Sequence, residues 1–512
     1  ILIVDNDSFS KKDLEKAGYD INPLEAGILE GYQLFSVPMT TITRNAVEGL
    51  DLSQKFSDRC KNFFAMGLVY WLYGRDLDAT LRFIESKFGG KPIIAEANRR
   101  ALKAGWNYGE TTDAFASSFQ VDRATLPPGK YRNMSGNEML AWGLMAAAEL
   151  SGKELFLGSY PITPASDILH SLSKYKNFGV RTFQAEDEIA AVCSSIGAAF
   201  GGAMAITTSS GPGIALKGEA LGLAVMLELP MIVINIQRGG PSTGLPTKTE
   251  QADLMQAMFG RNGECPMPVV AARSPADCFE TAIEAWRIAS RYMLPVMLLS
   301  DGYIANGAEP WQIVDFNDLP KIPISHPEGT NGDANGEFMP YARNDDLSRP
   351  WAIPGTPGLQ HRVGGLEKQD ITGNVSYDPE NHEHMCRLRE QKVANVANSL
   401  PPTKVNGPKS GDLLVLSWGG TYGACTTAVE TAQSEGLSVA HVHLRHLNPF
   451  PNDLEGILRS YKKVLIPELN LGQLSFLIRA EYLIDAVQLN KVKGKPFAVA
   501  EVLNKIREVI AS

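Results

Sequence analysis

Between Met134 and Gly307 one pattern recurs: a short apolar run, a turn of Gly, Pro, Ser and Thr, then helical spacing. It is seen in "LFLGSYPITPASDILHSL", "MAITTSSGPGIALKG", "MIVINIQRGGPSTG" and "PVMLLSDGYIANG". Apolar runs too short for helices, joined by helices, predict parallel strands covered on both faces. In such sheets ligands bind beyond the carboxyl ends of the strands. The polar residues of the turns are therefore candidate ligand groups: Thr163 and Ser166, Thr207 to Gly213, and Arg238 with Gly239 and Gly240.

The predicted fold class is α/β, with three α/β domains and a long irregular connector. Residues 1–125 alternate strand and helix signals: "ILIVD", a short helix capped by Ser10 and Asp13 and stopped at Gly18, then two amphipathic helices. Residues 134–310 form the second unit. Residues 311–410 are rich in Pro, Gly, Asn and Asp, as in "HPEGTNGDANGEF", with one helical stretch near "EHMCRLREQKVANVANSL". A connector of that length wraps a surface or covers a site. Alternation resumes over 411–512 with "DLLVLSWGG", "VAHVHL" and "KVLIPEL". The start at "ILIVDNDSF" reads as mid-strand, so an N-terminal portion is expected to be missing.

A net charge of −9 with no compensating basic stripe argues against nucleic-acid binding. No segment spans a membrane: "ALGLAVMLELPMIVINIQ" is broken by Glu228 and Pro230. The 6 cysteines include no C-x-x-C pair, against a disulfide framework, an iron–sulfur cluster or a zinc site made by this chain alone. A cytoplasmic location is the default expectation.

Arg238 ends an apolar strand beside two glycines, a setting for bidentate capture of a carboxylate or phosphate; pairing with a neighbouring acid is the plain alternative. In "TFQAEDEIAAVCSSIGAAFGGA" three acids precede an almost wholly small or apolar helix, which is expected to be buried on most faces. Asp187 suits an N-cap, and Glu186 or Glu188 suits the helix dipole. The alternative is a carboxyl at the helix start that shares its proton with a ligand nitrogen. His382, His384 and Cys386 offer close ligand atoms without a fourth, so no metal site is assigned. His441, His443 and His446 read as satisfied or solvent-facing imidazoles. "GGTYG" lacks dinucleotide spacing.

Taken together, "SYPITPAS", "AEDEIAAVCSSIGAAFGGA", "TTSSGPG" and "NIQRGGPSTGLPTKTEQADL" resemble the α subunit of thiamine-diphosphate-dependent 2-oxoacid:ferredoxin oxidoreductases. The likeness covers nearly the whole chain. Residues 1–125 are similar to the γ-type domain, 134–310 to the pyrimidine-type domain, and 411–512, with "LSWGGTYGA", "LRHLNPFP" and "PELNLGQL", to the transketolase C-terminal-type domain. "PGTPGLQHRVGG" and "TGNVSYDPEN" resemble the branch acting on 2-oxoglutarate.

The resemblance implies oxidative decarboxylation of 2-oxoglutarate to succinyl-CoA and carbon dioxide, with electrons passed to ferredoxin and coenzyme A as co-substrate. Reductive carboxylation is the reverse direction. It places Glu188 at N1′ of the cofactor's aminopyrimidine, Pro161 and Ile162 beside the cofactor, Thr163 and Arg238 on the substrate, and Lys248 as a candidate for a distal carboxylate. No G-D-G motif with its asparagine pair is present, so the diphosphate, its Mg2+ and a [4Fe-4S] cluster are expected in a β subunit, with a dimer of αβ pairs as the assembly. Within the family, a pyruvate or branched-chain 2-oxoacid enzyme is the alternative. Outside it, the alternative is a non-catalytic scaffold or regulatory subunit.

Overall fold

The computed structural model describes residues 1–112, 118–122, 124–329 and 336–512. The rest of the stretches read above, including most of "TNGDAN", lies outside the described residues. The chain divides into two compact units, Ile1–Pro128 and Gly129–Ser512.

The first unit is mainly helical. Strands Leu2–Asp5 and Leu34–Val37 pair in parallel, and the other named elements are helices. The expected cap is present: Ser10 accepts from the Asp13 amide, and Gly18 ends that helix at φ 78°. Helices Lys61–Leu72 and Pro92–Thr111 meet through glycines. A Cβ on Gly67 would lie 1.9 Å from Leu102 O, and one on Gly105 1.9 Å from Phe64 O. Two hydrogen side chains bring these backbones into contact and bury Phe64, Leu68 and Leu102.

The second unit is built on a seven-stranded sheet. In chain order its strands are β1 (Leu155–Ser159), β2 (Val180–Gln184), β3 (Met204–Ser209), β4 (Met231–Gln237), β5 (Val269–Ala271), β6 (Pro295–Asp301) and β7 (His446–Asn448), in the spatial order β7-β5-β6-β4-β3-β1-β2. All neighbours are parallel except β7 and β5. β3, β4 and β6 are buried at every residue, which is why they read as continuous apolar runs. A five-stranded sheet, mostly parallel, follows from Val405–Asn406 onward. Two expectations are corrected. Thr207, Thr208 and Ser209 belong to β3 rather than to the turn after it. The core does not stop near residue 411: β7 completes the earlier sheet, and Leu416, Trp418 and Val442 share one apolar cluster with Met231 and Val233. Among the described residues no helix is long and apolar enough to cross a membrane.

The connector wraps this unit and carries the helix Pro379–Asn395. Trp351 Nε1 donates to Ala199 O at 3.0 Å, and Ile353 packs over Gly202, so the connector holds the far end of helix Glu188–Phe200. Its firmest anchor is Glu228, a buried residue at φ 48°. Arg343 donates to both Glu228 oxygens at 2.6 Å, Lys392 Nζ donates to one of them, and Arg349 binds the Leu227 and Glu228 carbonyls. Burial raises the carboxyl's pKa, but Lys392 and Arg343 outweigh it and hold Glu228 well below the usual carboxylate range. Removing one member of such a cluster strands the others without a counter-charge. Glu228→Gln is therefore expected to lose about 3–5 kcal/mol in urea unfolding.

Candidate functional site

The pairing β1–β3–β4 sets three strand ends side by side: Ser159 lies opposite Thr208, and Ser209 opposite Asn235. Three turns consequently share one edge. In the first, Ser166 Oγ accepts from the Ile162 amide at 2.9 Å, and Asn137 Nδ2 donates to Pro164 O at 2.8 Å. These bonds fix the 161–166 loop, with Pro161 and Thr163 exposed and Ile162 packed against the core.

Arg238 leaves the end of β4 and reaches that loop. Its Nη1 donates to Thr163 O at 2.6 Å, so the structure brings together two of the residues singled out above. The guanidinium is buried, its Nε has no partner, and no carboxylate is hydrogen-bonded to it among the described residues. Burial lowers its pKa; the field of Asp253 opposes this. A desolvated arginine with an open donor suits an anionic ligand better than a structural ion pair.

Helix Glu188–Phe200 begins at the same edge. Asp187 is its cap, accepting from the Ala190 amide at 2.8 Å, and Glu186 is exposed. Capping thus falls to Asp187 and leaves Glu188 free. Glu188 is half-buried and makes no hydrogen bond or ion pair among the described residues. It leans on the turn after β3. A Cβ on Gly213 would come within 3.0 Å of Glu188 Cγ, 3.2 Å of its Oε1 and 2.0 Å of Ser209 Oγ. Burial of this helix on most faces is not what the structure has. Ile189, Cys193 and Gly197, each four residues on, form an exposed stripe, because only the opposite side packs on β1 and β3.

Several groups here escaped the sequence reading. Asp253 is buried at the other side of the same turn, 2.8 Å from where a Gly211 Cβ would be, and accepts from Asn235 Nδ2 at 2.9 Å. Burial raises its pKa. Lys217 is buried beneath the turn. "TEQADL" and the lysine following "GPGIAL" were visible signals, but nothing in one dimension showed that they converge. Ser209 Oγ, Ser210 Oγ and Asn235 Oδ1 are buried without partners, so the edge keeps hydrogen-bonding capacity for a polar ligand.

Lys248 is exposed; its carbonyl accepts from the Gly239 amide at 2.9 Å and its stem lies against Gly494. Asp301 of "SDGYIANG" is a structural cap, accepting from the Tyr303, Ile304 and Gly420 amides and from Thr249 Oγ1. The "GGTYG" turn packs on this carboxylate. His441 Nε2 and His443 Nδ1 both bond Ser417 Oγ, and His446 bonds Glu284. Burial pushes His441 down to about 4. Glu367 joins His382 and Cys386 in a cluster of potential metal ligands. Arg389, however, already donates to both Glu367 oxygens and to Cys386 Sγ, which supplies the positive charge.

Residues 147–376 match the family described as pyruvate flavodoxin/ferredoxin oxidoreductase, thiamine diP-binding. A 2-oxoglutarate oxidoreductase subunit KorA of Mycobacterium tuberculosis is 56% identical over 100% of this chain and 78% of its own length. A 2-oxoglutarate synthase subunit KorA of Methanothermobacter marburgensis is 31% identical over 73% of this chain and 97% of its own. The solved 2-oxoglutarate:ferredoxin oxidoreductase of Magnetococcus marinus, with 2-oxoglutarate, coenzyme A and succinyl-CoA bound, superposes with a TM-score of 0.85 at 32% identity, over 98% of this chain and 87% of that one.

Gly213→Ala tests the packing at the turn. Overpacking is expected to lower stability by about 1–3 kcal/mol in thermal unfolding. Adding Ser209→Ala, which removes the nearest obstructing atom, recovers part of the loss.

Proposed function

The chain belongs to the α subunits of the 2-oxoacid:ferredoxin oxidoreductases, and from that premise we propose how its residues serve the reaction. It is the α subunit of an enzyme acting on 2-oxoglutarate with thiamine diphosphate and coenzyme A. The reaction consumes 2-oxoglutarate, coenzyme A and two oxidised ferredoxins. It yields succinyl-CoA, carbon dioxide, a proton and two singly reduced ferredoxins. The carbon–carboxylate bond breaks and the thioester forms. Thiamine diphosphate, when bound, supplies a carbon nucleophile and holds the electrons left by decarboxylation.

One observation carries the assignment of roles: an unpaired carboxylate at Glu188 and an unpaired guanidinium donor at Arg238 open onto the same sheet edge. Glu188 fits an aminopyrimidine, because its capping duty is taken by Asp187 and Gly213 leaves its carboxyl clear. Its part is to exchange a proton with N1′ of that ring. In a site shielded from water such an exchange is strong. Arg238 holds the carboxylate that departs as carbon dioxide. Thr163 hydrogen-bonds the substrate's polar end, and Pro161 with Ile162 borders the ring. Lys248, on an exposed loop, is positioned to meet the distal carboxylate.

The diphosphate, Mg2+ and the [4Fe-4S] cluster fall to a β subunit, and ferredoxin docks on the assembled complex. A dimer of αβ pairs in the cytoplasm and the division 1–125, 134–310, 311–410 and 411–512 complete the reading.

Glu188→Gln in the αβ complex is expected to lower turnover by about 100-fold or more while subunit association persists. Full turnover in that variant would make this chain a scaffold. Arg238→Met is expected to raise the KM for 2-oxoglutarate by about 10- to 100-fold, the weight of a charged hydrogen bond. Steady-state kinetics with 2-oxoglutarate and with pyruvate reads both results, and activity with pyruvate alone would reject the substrate.

A further inference from the structure

The buried amine of Lys217 has no part in the roles assigned so far. Lys217 joins the short helix Gly211–Leu216 to the next, Gly218–Leu227, and its amide donates to Gly213 O at 3.2 Å. Its side chain turns back to β3, where Nζ donates to Thr207 Oγ1 at 2.6 Å and to Thr208 O at 3.1 Å. Both acceptors are neutral. The residue is wholly buried and makes no ion pair among the described residues. An apolar side chain would fill such a place without losing hydration, so the ammonium calls for a compensating charge.

That charge is Glu188. Its carboxylate touches the space over Gly213, the residue whose carbonyl Lys217 binds one turn later. It is also the charge that favours the protonated lysine against burial, which by itself lowers the pKa; the net value is about 7. The other elements packed here contribute nothing comparable. β3 and β4 carry no ionisable side chain. Asp187 and Glu219 act on Cys193, and Glu250 and Arg238 act on Asp253.

We propose that Lys217 is a positioning residue for Glu188: its ammonium, lodged under the Gly211–Gly213 turn, is the fixed positive charge that keeps the Glu188 carboxylate ionised and held over Gly213. The inference rests on the acid–base role of Glu188 given above. The alternative is that Lys217 only ties the end of β3 to the helix that follows.

The test uses the αβ complex in wild-type form and with Lys217→Met, Glu188→Gln and Thr207→Val. Without cofactor, thermal unfolding is followed from pH 6 to 10. The folded lysine sheds its proton near pH 7, whereas an unfolded lysine keeps it to about pH 10.4. The unfolded state binds more protons in that window, so wild-type stability rises with pH across it. Lys217→Met is expected to lose this rise. Glu188→Gln is expected to start it about half a unit or more lower, because the supporting charge is gone. With cofactor bound, Lys217→Met moves the acid limb of the kcat/KM profile to higher pH, while Thr207→Val, which keeps the charge, leaves it in place.

An unfolding curve in Glu188→Gln that begins its rise where the wild type does would overturn the proposal. That comparison stands even if Lys217→Met fails to fold. Loss of turnover in Glu188→Gln with an unmoved curve rejects Lys217 alone, whereas full turnover there rejects the role of Glu188 itself.

Discussion

The close approach of helix Glu188–Phe200 to the sheet governs what the edge of this molecule can do, and it depends on hydrogen side chains. A Cβ on Gly158 would lie 2.3 Å from Ala191 O and 2.5 Å from Ser194 Oγ. With glycine there, the helix settles on β1 and its first turn reaches the strand ends. Gly213 does the same for the carboxyl that the helix presents. Packing at native density leaves no slack for a methyl group at either place. The position of one carboxylate therefore follows from two absences of side chain.

Charge is arranged around that edge in a graded way. At the Glu228 anchor one buried carboxylate is saturated by Arg343 and Lys392, and its service is mechanical: it ties the connector to the turn before β4. At the ligand edge the charges are near one another yet unsaturated. Arg238 binds only a carbonyl, Lys217 binds only neutral oxygens, and Glu188 binds nothing. Unsaturated buried charge is unfavourable in a resting protein and useful where a ligand completes it. This contrast separates the structural cluster from the functional one more sharply than residue type does, since both contain acids, lysine and arginine.

The connector links the two clusters. It is fastened at Glu228 and passes behind the far end of helix Glu188–Phe200, where Trp351 takes Ala199 O. Its composition announced irregular structure, and its length announced a wrapping role. Where it would be fastened was not legible, because Arg343 and Lys392 lie more than a hundred residues from Glu228.

Much of the site was legible as well. The turns after β1, β3 and β4, the cap at Asp187 and the strand-end arginine were read from local spacing, which local hydrogen bonding and burial enforce. Asp253 and Lys217 were not. Each sits in ordinary local sequence and gains meaning only from burial against a turn that belongs to a different element. The exposed stripe of Ile189, Cys193 and Gly197 was misread for the same reason: composition reports that a helix is apolar, not which neighbours cover it. The sequence by itself determined the order of strands and helices, the breaks between them and the small residues that permit close contact, because these depend on neighbours along the chain. The tertiary structure alone decided which charges face one another, because an electrostatic field acts through space and disregards the path of the backbone.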